Sequence, residues 1–367
     1  MNMETRLLLH EVHESLGATF DALGGMECVS HYGEPEREYS ALQDSVGLLD
    51  LGFRGRFCLT GADRIRLLHG QVTNDIQGLA VWEGCYAAFV SHKGRMQADA
   101  FIYALAEEIL VDVEPGLTQG LLARMEHHIV ADDVQCVDVS PYYGLLSVQG
   151  PRSAAVLDRL ELKVPSRLLG VGHLADPGIG DLYVMRNPRT GGDGFDLFIP
   201  VDAQAMVLDK ALAAAKGEGG RMVGWHALEL SRIEAGIPRF GADMDETNLP
   251  PETGIEGRAV SYSKGCYIGQ EVIARIRTYG QVAKKLRGLR FSGGDGAMPV
   301  RGDKLVRDGR EVGTITSVAR SPKLGGAVIG LGYVRRECNA MGTVLEVRAG
   351  VGGMTAGIVP LPFAVGG

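Results

Sequence analysis

The order strand–helix–strand–strand–helix occurs twice between Arg54 and Gly217, and no other feature narrows the choice of fold as much. In the first round, residues 54–60 alternate as a strand, with Phe57 and Leu59 on one face. Thr60 is expected to cap a helix over 61–69 that Gly70 closes. Strands over 86–90 and 98–105 flank the polar turn Ser91-His92-Lys93-Gly94, and 109–113 is a further strand. A helix over 117–129 follows, with Leu117, Leu121, Met125 and Ile129 at four-residue spacing. The second round has a strand from Gly144, a helix started by Gly150-Pro151, strands over 182–186 and 195–199, and an Ala-rich helix. Asp202 is expected to cap that helix, which ends near Gly217. A duplicated α+β unit is the expected architecture, preceded by a short helix and an extended segment over 40–50.

After Gln281 the pattern changes. Short strands are predicted over 284–291, 304–307, 311–319, 327–334 and 343–349. Asp308-Gly309 stands between two of them as a hairpin signal. Glycine is frequent and helix signals are absent, so a separate small β-barrel is expected.

A chain of 367 residues allows two or three domains. Its 45% hydrophobic and 22% charged residues fit a globular protein. The net charge of −8 argues against broad electrostatic binding to nucleic acid. Six cysteines (Cys28, Cys58, Cys85, Cys136, Cys266 and Cys338) show no CxxC or zinc-finger spacing, so reduced thiols and no metal centre are expected. The start of the chain has no basic cluster before a long apolar run, and no stretch approaches the ~20 apolar residues of a membrane helix. A cytoplasmic location is the expectation.

The densest chemistry lies in Lys264-Gly265-Cys266-Tyr267-Ile268-Gly269-Gln270-Glu271. Two nearby glycines mark a tight turn, and Gln270 reads as a helix start. A cysteine beside a lysine and a helix N-terminus suits a thiolate, while a structural turn with a half-buried thiol suits the same residues. The segment resembles the KGC-aromatic-x-GQE signature of the YgfZ family of folate-binding proteins, relatives of the glycine-cleavage T-protein. Other stretches resemble the T-protein family: His31-Tyr32-Gly33, Gly47-Leu48-Leu49-Asp50, Val72-Thr73-Asn74-Asp75, Ser147-Val148-Gln149-Gly150-Pro151, Arg232-Ile233-Glu234-Ala235-Gly236, and Val312-Gly313-Thr314 with Arg320-Ser321-Pro322.

The resemblance implies an α+β, three-domain, aminomethyltransferase-like ring. Residues 1–283 would form a folate-binding region of two interleaved α+β subdomains, and 284–367 the barrel. It implies tetrahydrofolate as ligand and a role as an accessory protein for iron–sulfur cluster assembly or repair and cluster-dependent tRNA modification. Iron–sulfur proteins or their assembly factors would be partners. The alternative is a folate-dependent aminomethyltransferase or demethylase of T-protein type. Cys266 and Asp99 are the expected catalytic residues. Arg232, Asp193, Tyr86, Lys264, Tyr267 and Gln270 are the expected folate-binding residues.

Two departures bear on that choice. The T-protein's paired aspartates fall on Ala98 and Asp99, or in the other register on Gln97 and Ala98, so at most one carboxylate survives. The T-protein glutamate that can pair with the pterin falls on Gly192, next to Asp193. Arg232 lies in a helical run over 225–235, where either an ion pair with Glu229 or a folate contact suits it. Trp82, Tyr86, Phe195 and Tyr267 could stack on a ring or serve as core.

Overall fold

The computed structural model describes residues 5–294, 297–348 and 353–364. The chain forms two compact units: residues 1–87 with 98–229, and residues 88–97 with 230–367.

The first unit opens with α1 (His10–Ser15), the hairpin β1 (Thr19–Leu23) and β2 (Met26–His31), α2 (Pro35–Asp44) and β3 (Gly47–Asp50). The first repeat follows as β4 (Gly55–Thr60), α3 (Arg64–Gln71), β5 (Glu83–Val90), β6 (Met96–Ala104), β7 (Ile109–Val113), α4 (Thr118–His128) and β8 (Gln135–Asp138). The second repeat is β9 (Tyr143–Gln149), α5 (Ser153–Arg159), β10 (Val171–Asp176), β11 (Gly180–Arg186), β12 (Gly194–Pro200), α6 (Val201–Gly217) and β13 (Arg221–Met222). Beyond the elements read from the sequence, the first repeat gains one strand, β8, and the second gains two, β10 and β13.

The two sheets carry the same order, β5-β6-β7-β4-β8 and β10-β11-β12-β9-β3-β13. In the second, β3 is inserted beside β9, so β13 pairs with β3 in parallel and not with β9. The second sheet packs Val148, Phe195, Leu197 and Ile199 against Val156 and Leu157 of α5 and Ala203, Val207, Leu208 and Ala211 of α6. These α6 residues fall on one helical stripe, which is why an Ala-rich helix can lie close to the sheet.

Two helix starts differ from the sequence reading. Thr60 is the last residue of β4, and α3 begins only at Arg64. Asp202 lies inside the first turn of α6, where its charge suits the helix dipole, and Pro200 occupies the cap.

In the second unit, the later part of α7 (Trp225–Glu234) leads through α8 (Glu256–Ala259) to α9 (Gln270–Tyr279). The barrel closes in the order β14 (Lys284–Ser292), β17 (Ala327–Arg335), β16 (Arg310–Ser321), β15 (Lys304–Arg307), β18 (Val344–Arg348), β19 (Thr355–Val359). The expected barrel is present with a sixth strand, β19, that the sequence reading did not see. Ala349, expected in a strand, lies outside the described residues.

Strand β17 is buried on both faces. Ile329, Leu331 and Tyr333 pack with Ile233 of α7, while Val328 and Val334 join the barrel core. On the inner face Gly330 and Gly332 make room for neighbours. A Cβ there would stand 3.0 Å from the Phe291 ring and 2.8 Å from Leu289, respectively.

Candidate functional site

Successive residues of a strand point to opposite faces, so Asp99 and Phe101 share one face of β6 while Ala98 and Ala100 share the other. Asp99 is 7% exposed and Tyr86 of β5 is 4% exposed. The Tyr86 hydroxyl donates to Asp99 Oδ2 at 2.5 Å. Asn74, in the loop after α3, donates through Nδ2 to the Tyr86 carbonyl at 2.8 Å. The Phe101 ring lies 5.1 Å from that of Tyr86, and the Arg189 guanidinium stands 5.2 Å over Phe101. Of the expected site residues, Tyr86 and Asp99 are thus brought together, with one carboxylate and two aromatic rings side by side.

Beyond Phe101 lies a buried ionic network that the sequence reading missed. Arg189 bridges Asp112 and Asp196, each at 2.7 Å. Asp112 also receives Arg54 Nε at 2.8 Å, and Arg54 pairs with Glu114. Asp196 accepts from Ser147 Oγ and Asn187 Nδ2. Register places Asp112 opposite Phe101 on one side and Arg56 on the other. Arg56 donates to the carbonyls of Gly52, Arg54 and Ser140.

Burial tends to raise the Asp112 pKa, but Arg54 and Arg189 outweigh it and hold the carboxyl below its ordinary range. Burial opposes charge on Arg54 and Arg189 as well, yet their carboxylate partners keep both above the usual value. Burial without a carboxylate contact lowers Arg56 to about 10. The only advance signal of this network was a lone acid inside each of two apolar strands, ILVDV and GFDLFIP.

In the second unit, Lys264, Cys266 and Tyr267 lie just before α9, and Gln270 is its first residue. Lys264 is buried and its Nζ lies 4.9 Å from the Tyr267 ring centroid. Burial raises the Tyr267 phenol to about 12. Cys266 is exposed and outside any disulfide. Gly269 has φ +83°, and a Cβ on it would stand 2.5 Å from the Ser91 carbonyl oxygen and 3.2 Å from Gly94 Cα. The turn is therefore pressed onto the tip of the β5–β6 hairpin, an approach only glycine allows.

Arg232 has a different setting from either sequence reading. Its guanidinium is buried and donates to Asp243 Oδ2 at 2.6 Å, Ser317 Oγ at 3.0 Å and the Ile237 carbonyl at 3.1 Å. Asp193 sits in an exposed turn and pairs with Arg186 at 2.9 Å. Trp82 stacks on His173 at 5.2 Å, and Phe195 lies in the core of the second sheet. No helix among the described residues is long and apolar enough to cross a membrane.

Residues 9–264 match the family described as "GCVT N-terminal domain", and residues 284–364 match the "Glycine cleavage T-protein C-terminal barrel domain". Curated relatives include an aminomethyltransferase of Symbiobacterium thermophilum, 30% identical over 98% of this chain and 96% of its own. Another is an aminomethyltransferase of Rubrobacter xylanophilus, 31% identical over 98% of this chain and 94% of its own. The crystal structure of glycine cleavage system aminomethyltransferase T from Bartonella henselae matches with a TM-score of 0.89, covering 98% of each chain at 23% identity. These full-length likenesses overturn the expected iron–sulfur accessory role. The relatives that cover the chain are named for aminomethyl transfer, the reading held as the alternative.

Proposed function

The chain belongs to the glycine-cleavage T-protein family, and from that premise we propose that it is a folate-dependent aminomethyltransferase in which Asp99 is the working carboxylate. The observation that carries this reading is the Tyr86–Asp99 pair. It is a buried carboxylate held at one oxygen by a 2.5 Å hydrogen bond, on a rigid strand, beside aromatic rings. A carboxylate and two rings fit a flat heterocycle that carries N–H donors. Gly192 supplies no carboxylate where the T-protein has its glutamate, so on this reading recognition of the ring falls to Asp99.

Bound tetrahydrofolate would supply the nucleophilic amine that receives the one-carbon unit. Asp99 would orient that amine and take the proton it loses as the new nitrogen–carbon bond replaces the carbon's bond to the lipoyl sulfur, which would leave as the carrier's thiolate. Tyr86 fixes which carboxylate oxygen faces the work, and Asn74 fixes the strand at Tyr86. The buried network of Arg54, Asp112, Arg189 and Asp196 keeps Phe101 and its neighbours in place.

The test is transfer of labelled carbon from an aminomethylated lipoyl carrier to tetrahydrofolate, with folate binding followed by calorimetry. Asp99→Asn should slow transfer about a hundredfold or more and also weaken folate binding, because the carboxylate serves both. Absence of transfer by the natural chain, or equal rates for the variant, overturns the assignment.

A further inference from the structure

A cavity of about 380 Å³ lies wholly within the second unit, between residues 242–248 and the barrel wall. Three cations line it: Lys284, Arg301 and Arg335. None has a carboxylate partner among the described residues, whereas the acids around the cavity are mostly engaged. Asp243 is paired with Arg232, and Glu311 with Arg348. Asp245 accepts from the backbone N–H and hydroxyl of Thr247. The lining carries three carboxylates beside the three cations, but Arg232 and Arg348 from outside it meet the charges of Asp243 and Glu311, which leaves more unpaired positive than negative charge.

The arrangement also breaks a rule of sheet pairing. Lys284 and Arg335 are direct partners across the antiparallel β14–β17 ladder. Like charges directly opposite each other destabilise a sheet, and opposite charges are the usual choice. Tyr333, on the same face of β17 as Arg335, receives Lys284 Nζ at 4.6 Å over its ring, which holds the ammonium over the strand. The lining also includes Asn248 and Tyr333, whose buried Nδ2 and Oη have no hydrogen-bond partner among the described residues. Local conflicts of this kind tend to mark functional positions.

We propose that this cavity binds a small dianion, recognised by paired oxyanion charges of the phosphate or dicarboxylate kind. Such a ligand turns the opposed Lys284–Arg335 pair from repulsive to bridged, with Arg301 as a third contact. The inference rests on charge and register within the barrel and does not depend on the aminomethyl-transfer reading.

The experiment uses the full chain above neutral pH at fixed ionic strength. Inorganic phosphate and succinate are titrated separately by calorimetry and thermal shift, with chloride as control. Phosphate, succinate or both should bind and raise the melting midpoint, and which of them does identifies the class. Arg335→Gln should weaken binding roughly tenfold. Without ligand, its melting midpoint should equal or exceed that of the natural chain, because the repulsion is relieved. Failure of both dianions to bind, binding unchanged in the Lys284→Gln/Arg335→Gln double variant, or a ligand-free midpoint lowered by Arg335→Gln overturns the proposal.

Discussion

Arg232 separates a structural role from a ligand-binding one, and its surroundings set the size of the effect. Its side chain is 5% exposed and that of Asp243 is 0% exposed, so neither charge can turn to water. Breaking a buried pair from one side costs about 3–5 kcal/mol, because the other charge is left behind. The two sides are not equivalent. Without Arg232, Asp243 still accepts from Thr316 Oγ1 at 2.6 Å, Ser317 Oγ at 2.7 Å and the Arg239 N–H at 3.2 Å. Arg232→Met should therefore fall near the lower end, about 3 kcal/mol. Without Asp243, the buried guanidinium loses this carboxylate while keeping the Ile237 carbonyl and the Ser317 hydroxyl, so Asp243→Leu should approach about 5 kcal/mol. The double variant should return to within about 2 kcal/mol of the natural chain, since an apolar pair can replace a buried ion pair. Urea unfolding, with near- and far-ultraviolet circular dichroism followed together, measures each value. Tetrahydrofolate binding is measured alongside. Single variants that lose under about 1 kcal/mol while folate binding drops tenfold would refute the structural assignment and make Arg232 a ligand residue.

The Asp112 carboxyl lies below its unfolded value, so it stabilises the fold fully above about pH 4, and that contribution disappears as pH falls through the lowered folded value. Asp112→Asn should accordingly flatten the loss of stability between neutral and acid pH, read from unfolding midpoints across that range. Gly269→Ala should cost about 2–3 kcal/mol from positive φ plus collision with the Ser91 carbonyl. Gly254→Ala, at the same φ of +83° but with nothing within 4 Å of the added Cβ, should cost only about 1–2 kcal/mol, and equal losses would discount the collision. Tyr86→Phe should lower kcat for carbon transfer about tenfold or more with KM for folate little changed, because it removes the hydroxyl that orients Asp99 Oδ2. Cys266→Ser should leave stability within about 0.5 kcal/mol, as the thiol is exposed, and transfer kinetics of that variant decide whether the thiol takes part in chemistry.

The repeat, the barrel and most central elements could be read from the sequence, because hydrophobic alternation and helical spacing are local properties. Residues 109–113, read as a strand from five residues, are β7 at the same bounds. What escaped were β1, β2, β8, β10, β13 and β19, each of six residues or fewer, too short for a residue pattern to stand out from a loop. The Lys264–Gln270 turn was legible for the same local reason, since its glycines and helix start lie within a few residues.

Partners could not be read this way. Arg232 meets Asp243 eleven residues on and Ser317 eighty-five residues on, and Arg189 reaches back seventy-seven residues to Asp112. The sequence alone determined which residues were charged and which strands they sat on. Only the tertiary structure decided which charges were buried together, because that depends on strand register and on which sheet faces which. A one-residue shift in β7 would have turned Asp112 from the network to the opposite face.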